Sequence, residues 1–270
     1  MNMVARICLA AAVTGCGDAP GVRTGGDVQV RIRATTAQFQ HADGLSGQTA
    51  ADARGGIRSL TLLRNGTDPN PLRVFDHGEG QVEVSFNEGG NTHVATLESR
   101  HLVAGHFRLA RLVQTHSRYT LAATYHDGQR AEPGVLNDLL VMTDHVFVDG
   151  AWAQAGTFRF TFSGASGEAT STGMDHPVPP YSTTAGAWAT FEDGEWAVYF
   201  PIDLVVHPAQ WVAKDLVVTV NMDHAFRWQD RSGEGHVVGT FDVTGSAWEP
   251  VVRFGGNRFE VTLEPSPGSP

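Results

Sequence analysis

Twelve histidines punctuate a 270-residue chain that holds a single lysine, Lys214. Four of them follow an aspartate directly, as Asp76-His77, Asp144-His145, Asp175-His176 and Asp223-His224, and Met142, Met174 and Met222 stand close to three of those pairs. Imidazole, carboxylate and thioether together suit copper or zinc. His145, His176 and His224 are therefore the candidate ligands of one metal site. The same pairs also suit polar strand ends, where an Asp-His dipeptide flanks a turn, and no closely spaced histidine pair reinforces a site. A second set, His93, His101, His106, His116 and His126, lies in the N-terminal half. If His106, His116 and His126 occupy adjacent hairpin strands they share a rim, as a ligand set or simply as a wet strand face. Their joint protonation below about pH 6.5 would then offset part of the acidic charge.

All six tryptophans (Trp152, Trp188, Trp196, Trp211, Trp228 and Trp248) follow residue 150. Aromatic faces beside carboxylates and amides make carbohydrate sites. Trp188 and the Trp228 of Phe226-Arg227-Trp228-Gln229-Asp230 are the candidate ligand-binding residues, with core packing as the competing use. Trp196 falls on the apolar face of its own strand and is expected in the core. Asp193-Gly194-Glu195 and Asp138 offer oxygen ligands for calcium, but no loop of calcium-binding spacing accompanies them. His-Glu-x-x-His, Cys-x-x-Cys and a phosphate-cradling glycine loop are all missing from the sequence. The nearest approach to a nucleophile elbow, Gly164-Ala165-Ser166-Gly167-Glu168, lacks its last glycine. No catalytic residue is assigned, and a non-catalytic body is expected.

The formal net charge of -10 repels phosphate backbones, which argues against nucleic acid as a partner. Hydrophobic residues at 41% against 18% charged make the chain globular rather than disordered. The two cysteines are Cys8 and Cys16. Met1 to Arg6 is a short region with one positive charge, Ile7 to Val13 is apolar, and Gly15 precedes Cys16. This pattern is that of an export signal, too short to span a bilayer.

Val13-Thr14-Gly15-Cys16 resembles a lipobox, the cleavage and acylation site of bacterial lipoproteins. The resemblance implies removal of residues 1–15 and acylation of Cys16 by palmitate-like chains. It also implies a bilayer partner reached through that lipid, and a cell-envelope location, leaning to the outer membrane because Gly17 and not an aspartate directly follows the cysteine. One acyl chain binds marginally and two bind stably, at ~0.8 kcal/mol per buried CH₂. Cys8 would leave with the leader, so the mature body would have no free thiol. Residues 16–26 read as a flexible tether.

The elements that must position these residues are strands. Val28, Val30 and Ile32 alternate with Gln29, Arg31 and Arg33, and the same period of two marks 82–87, 107–115, 119–126, 157–162, 196–204, 216–222 and 259–263. One apolar and one wet face per strand is the pattern of antiparallel sheets. Asp127-Gly128, Asp149-Gly150, Asp193-Gly194 and Gly255-Gly256-Asn257 are hairpin signals between them. An all-β antiparallel sandwich is the expected fold class, with at most short helical turns at Pro208 to Lys214 or Gln48 to Arg54. Residues 165–186, rich in Gly, Ser, Thr and Pro, read as a loop or linker. They leave open one sandwich or two, divided as 27–164 and a Trp-rich 187–264. Residues 265–270 are expected to be a disordered tail.

Leu102-Val103-Ala104-Gly105-His106-Phe107-Arg108-Leu109-Ala110-Arg111-Leu112 is similar to a strand entry of uncharacterised prealbumin-like bacterial lipoproteins. Phe200-Pro201-Ile202-Asp203-Leu204-Val205-Val206 is a second echo, and Asp18 and Pro20 after the cysteine resemble that family too but fall in this chain's tether. The resemblance implies fold only. The combined expectation is an acylated envelope protein with a structural or ligand-binding body. Its alternatives are a copper- or zinc-binding lipoprotein and a carbohydrate-binding module; a glycan or a protein would be the ligand of the body.

Overall fold

The computed structural model of the protein describes residues 27–126, 130–174, 186–207, 214–231, 236–244 and 248–266. In chain order the strands are β1 (Val28–Thr35), β2 (Ser46–Gln48), β3 (Asp52–Leu63), β4 (Leu72–Asp76), β5 (Val82–Ser85), β6 (Asn91–Leu97), β7 (Gly105–His126), β8 (Ala131–Val141), β9 (Val146–Val148) and β10 (Ala151–Ala153). They continue as β11 (Phe158–Gly164), β12 (Gly167–Gly173), β13 (Trp188–Glu192), β14 (Glu195–Val206), β15 (Lys214–Asn221), β16 (Phe226–Trp228), β17 (Asp242–Thr244), β18 (Val251–Arg253) and β19 (Arg258–Pro265). The fold is all-β, and no α-helix occurs among the described residues.

The 22-residue β7 is the spine of a ten-stranded sheet. One of its edges pairs first with β14 and then with β8; the other pairs with β3 and then, in parallel, with β17. Partners change around Gln114 to Ser117, where the register against β3 also shifts. Glycines make that crowding possible: a Cβ on Gly56 would collide with Thr115 Oγ1 and His116 Nδ1. The second sheet has the order β19-β15-β1-β6, with β1 and β15 parallel. Val28, Val30, Ile32, Leu216, Val218 and Val220 face inward from it, against Phe107, Leu112, Leu121 and Phe200 of the large sheet. A small sheet β18-β16-β2 adds Phe226 and the fully buried Trp228 to the same core. Each such large side chain contributes about 1.5–3 kcal/mol by leaving water.

Sequence and structure differ in two places. Gln48 to Arg54 is not a helical turn: Gln48 ends β2 against Phe226, and Asp52 to Arg54 open β3, which pairs with β7 and, from Arg54, with β5. A helix of two turns nucleates poorly, and these residues find ladder partners instead. Within 165–186, Gly167–Gly173 is β12, paired along the whole of β11. Its Thr170 and Thr172 keep strand preference despite the small-residue composition. Between the two ranges that the sequence left open as one sandwich or two, 27–164 and 187–264, strands are shared: β15 pairs with β1 and β14 with β7. Of the helical turn expected at Pro208 to Lys214, residues 208–213 lie outside the described residues, and Lys214 opens β15.

Candidate metal centre

The far end of β7 builds a group of three potential metal ligands among the described residues. β17 runs parallel to it, placing Asp242 opposite Thr124 and Thr244 opposite His126. Phe241 and Val243, on either side of Asp242, are buried in the core and fix the strand's facing. Trp248 bridges back to Val243 and packs on Phe160 at 4.1 Å between ring centroids. That return brings Glu249 onto Asp242. The Glu249 amide donates to the Asp242 carbonyl at 2.9 Å, and the Asp242 amide donates to Glu249 Oε2 at 2.9 Å. The amide of Arg231 donates to Glu249 Oε1 at 2.6 Å, and that of Val237 to Asp242 Oδ2 at 3.2 Å.

One ligand atom from each of His236, Asp242 and Glu249 lies within 4.8 Å of the others. Asp242 and Glu249 are buried, at 2% and 1% exposure. The Nδ1 of His236 is buried and has no hydrogen-bond partner among the described residues. His126 stands over the group: its Nε2 is 2.6 Å from Asp242 Oδ1, and its ring centroid is 5.0 Å from that of His236. Burial raises the pKa of Glu249; the amides of Arg231 and Asp242 oppose the rise, and the charges of Asp242 and Asp230 add to it. Two buried carboxylates this close carry a desolvation and repulsion cost that a cation between them would relieve. The donor set is one imidazole and two carboxylates, which suits zinc among common ions. His126 suits an outer role, holding Asp242 in orientation through its hydrogen bond.

The residues expected from sequence are placed elsewhere. His145 and His224 sit at turn positions with φ of 55° and 44°, and both are exposed. Neither joins a three-ligand group among the described residues. Asp223 Oδ1 pairs with the neighbouring His224 Nδ1 at 2.8 Å. His176, like Cys16 and Trp211, lies outside the described residues. Met142 and Met222 are in the core, so their thioethers fill space.

His106, His116 and His126 do not share a rim. All three lie on β7, ten residues apart, which separates neighbours by about 33 Å. Each meets a different carboxylate: Asp203 at 2.5 Å, Glu83 at 3.7 Å and Asp242 at 2.6 Å. Trp228 is wholly buried against Phe226 and Phe241 and presents no face to a ligand, whereas Trp188 is 43% exposed. Of the calcium candidates, Glu195 is held by Arg111 at 2.8 Å and Arg58 at 3.7 Å, and Asp138 is buried within β8. Histidine count pointed to His126; nothing local pointed to His236, Asp242 and Glu249, which β17 and its return bring to the end of a distant strand. Set against protein-family models, curated proteins and solved structures, the chain matches none of them.

Proposed function

We propose that this chain is a lipid-anchored envelope protein whose non-catalytic β-sandwich body binds one divalent metal ion, zinc by its donor set. The ligands are His236, Asp242 and Glu249. The observation that carries the reading is the convergence of a partnerless imidazole nitrogen and two buried carboxylates within 4.8 Å. The anchor rests on Val13-Thr14-Gly15-Cys16 and on the export pattern before it.

Both parts are testable. Untagged mature protein, dialysed and then given Zn²⁺, should bind one equivalent and melt at higher temperature. Glu249→Gln and Asp242→Asn should abolish both effects. A wild-type protein that neither retains zinc nor shifts its Tm ends the metal reading. For the anchor, cells fed an alkynyl fatty acid should label the wild-type protein and not Cys16→Ala; an unlabelled wild type ends that part.

A further inference from the structure

Small side chains meet on the inner face of the large sheet. Ala53 of β3 lies in register with Tyr119 of β7, and both face the core. The amide of Phe86, just past β5, donates to the Ala53 carbonyl at 2.8 Å, so Tyr119, Ala53 and Phe86 form a row across the sheet. Met222, Ala225 and Phe226, from the connection of β15 to β16, and Ala50, just before β3, continue the wall of one cavity of about 370 Å³. Methyl groups at Ala50, Ala53 and Ala225, where larger side chains would fill the interior, leave that space. Its volume, and a wall that is mostly apolar with a few polar groups, are those of small-molecule sites.

Two polar groups of this wall are unmet. Tyr119 is 5% exposed, and its hydroxyl makes no hydrogen bond among the described residues. Burial and the charge of Asp138 keep the phenol protonated, so it stands as a donor. Glu88, exposed at the mouth, is the one charged side chain lining the cavity among the described residues. Its Oε2 accepts from the amide of Thr36 and, at 2.6 Å, from Thr36 Oγ1. Those bonds hold its carboxyl below the usual range against a small desolvation, so it is ionised at neutral pH. Its Oε1 accepts no hydrogen bond, and no cationic side chain pairs with it, among the described residues.

From this arrangement we infer that the cavity binds a small arylalkyl amine, its ammonium on Glu88, its ring among Phe86, Tyr119 and Phe226, and a ring oxygen accepting from Tyr119. Charge selects the head group. An anion would meet Glu88 with no cation in the lining to offset it, and the net charge of -10 draws cations to the chain. The three aromatic rings of the wall select the body: a flat ring packs on them face or edge, and an ammonium beside them gains from their π faces. The site shares no residue with the metal centre.

The test is isothermal titration of the untagged full chain with tyramine, against para-hydroxyphenylpropanoate, which has the same body and a carboxylate head. Tyramine should bind saturably and the propanoate should not. Glu88→Gln keeps an acceptor for Thr36 and should weaken tyramine about fivefold, the upper end for an exposed ion pair, with an unchanged thermal transition. Ala50→Leu, at a partly buried position, should abolish binding by filling the cavity. Tyr119→Phe should weaken tyramine by loss of one hydrogen bond; if that buried change disturbs the fold, Glu88→Gln at the exposed mouth still decides. No saturable binding of tyramine, equal binding of the propanoate, or an unchanged affinity in Glu88→Gln would each overturn the inference.

Discussion

Burial pushes the His116 imidazole down to about 4; Arg118 adds to the fall, and Glu83 opposes it. The ring is 1% exposed, and its Nε2 has no hydrogen bond. The unfolded chain takes up a proton at this residue near pH 6.5, while the fold refuses it until about pH 4. Stability is therefore unaffected by this residue above pH 6.5 and falls as pH drops from there toward 4, by up to about 3 kcal/mol. Urea unfolding at stepped pH should show that slope in the wild type and a shallower one in His116→Gln. Glu249 has the opposite sign. Its folded pKa is raised, chiefly by burial, so its ionised form costs stability at neutral pH and acid relieves the cost. A bound cation would relieve it at neutral pH instead. Zinc affinity should thus weaken on acidification, because the raised pKa of Glu249 lets protons compete with the metal for its carboxylate; titrations at pH 7.5 and pH 5.5 check this.

At the scale of elements, the β9–β10 hairpin lies on the outer face of the large sheet through Val146 and Val148, packed on Leu139 and Val141. Asp149 at its tip ties both Arg118 and Arg159, which hold its carboxyl below the usual range, with burial opposing. These groups are partly exposed, so solvent screening limits what they contribute. Asp149→Asn should cost about 1 kcal/mol or less and should speed amide exchange in 146–153 ahead of the core strands. The Asp193-Gly194 turn is less tolerant. Its φ values of 52° and 79° are those of a type I′ hairpin, and a Cβ on Gly194 would lie 2.8 Å from Asp144 Oδ2. Gly194→Val should lose about 1–3 kcal/mol in denaturant unfolding. Such turns were legible in the sequence because a left-handed backbone selects Asp-Gly locally, as Asp149-Gly150 also shows. The strands were legible where one face is wet. The continuity of β7 was not: Gln114, Thr115, His116 and Ser117 are all buried where its partners change, which breaks the alternation that marks a strand. The metal group was illegible for a related reason. It is assembled by a parallel pairing of residues more than a hundred positions apart, and no local spacing announces such a pairing.

For the molecule as a whole, the decisive fact is how strands before residue 164 and after 187 are shared. β1 has one edge on β6 and the other on β15, with Gln29 to Thr35 each opposed by a residue of Asp215 to Asn221. Arg31 reaches Asp215 at 3.1 Å and Arg33 reaches Glu264 at 2.9 Å, both across the chain's two halves. Cutting the chain at the glycine-rich stretch would strip β1 of that ladder and β7 of β14. It would also uncover Val30, Ile32 and Phe107, which are wholly buried. At about 25 cal/mol per Å² of apolar surface, the burial lost in such a cut counts against either half ordering its strands alone. The mature chain should therefore unfold in one calorimetric transition, with equal calorimetric and van't Hoff enthalpies. Residues 27–164 expressed alone should show no cooperative transition at all. Saturating zinc should move the single peak without splitting it, adding about 2.7 kcal/mol at a hundred times its Kd. Two resolved peaks, only one of them zinc-sensitive, would mean that the metal end of β7 folds apart from the rest of the sandwich.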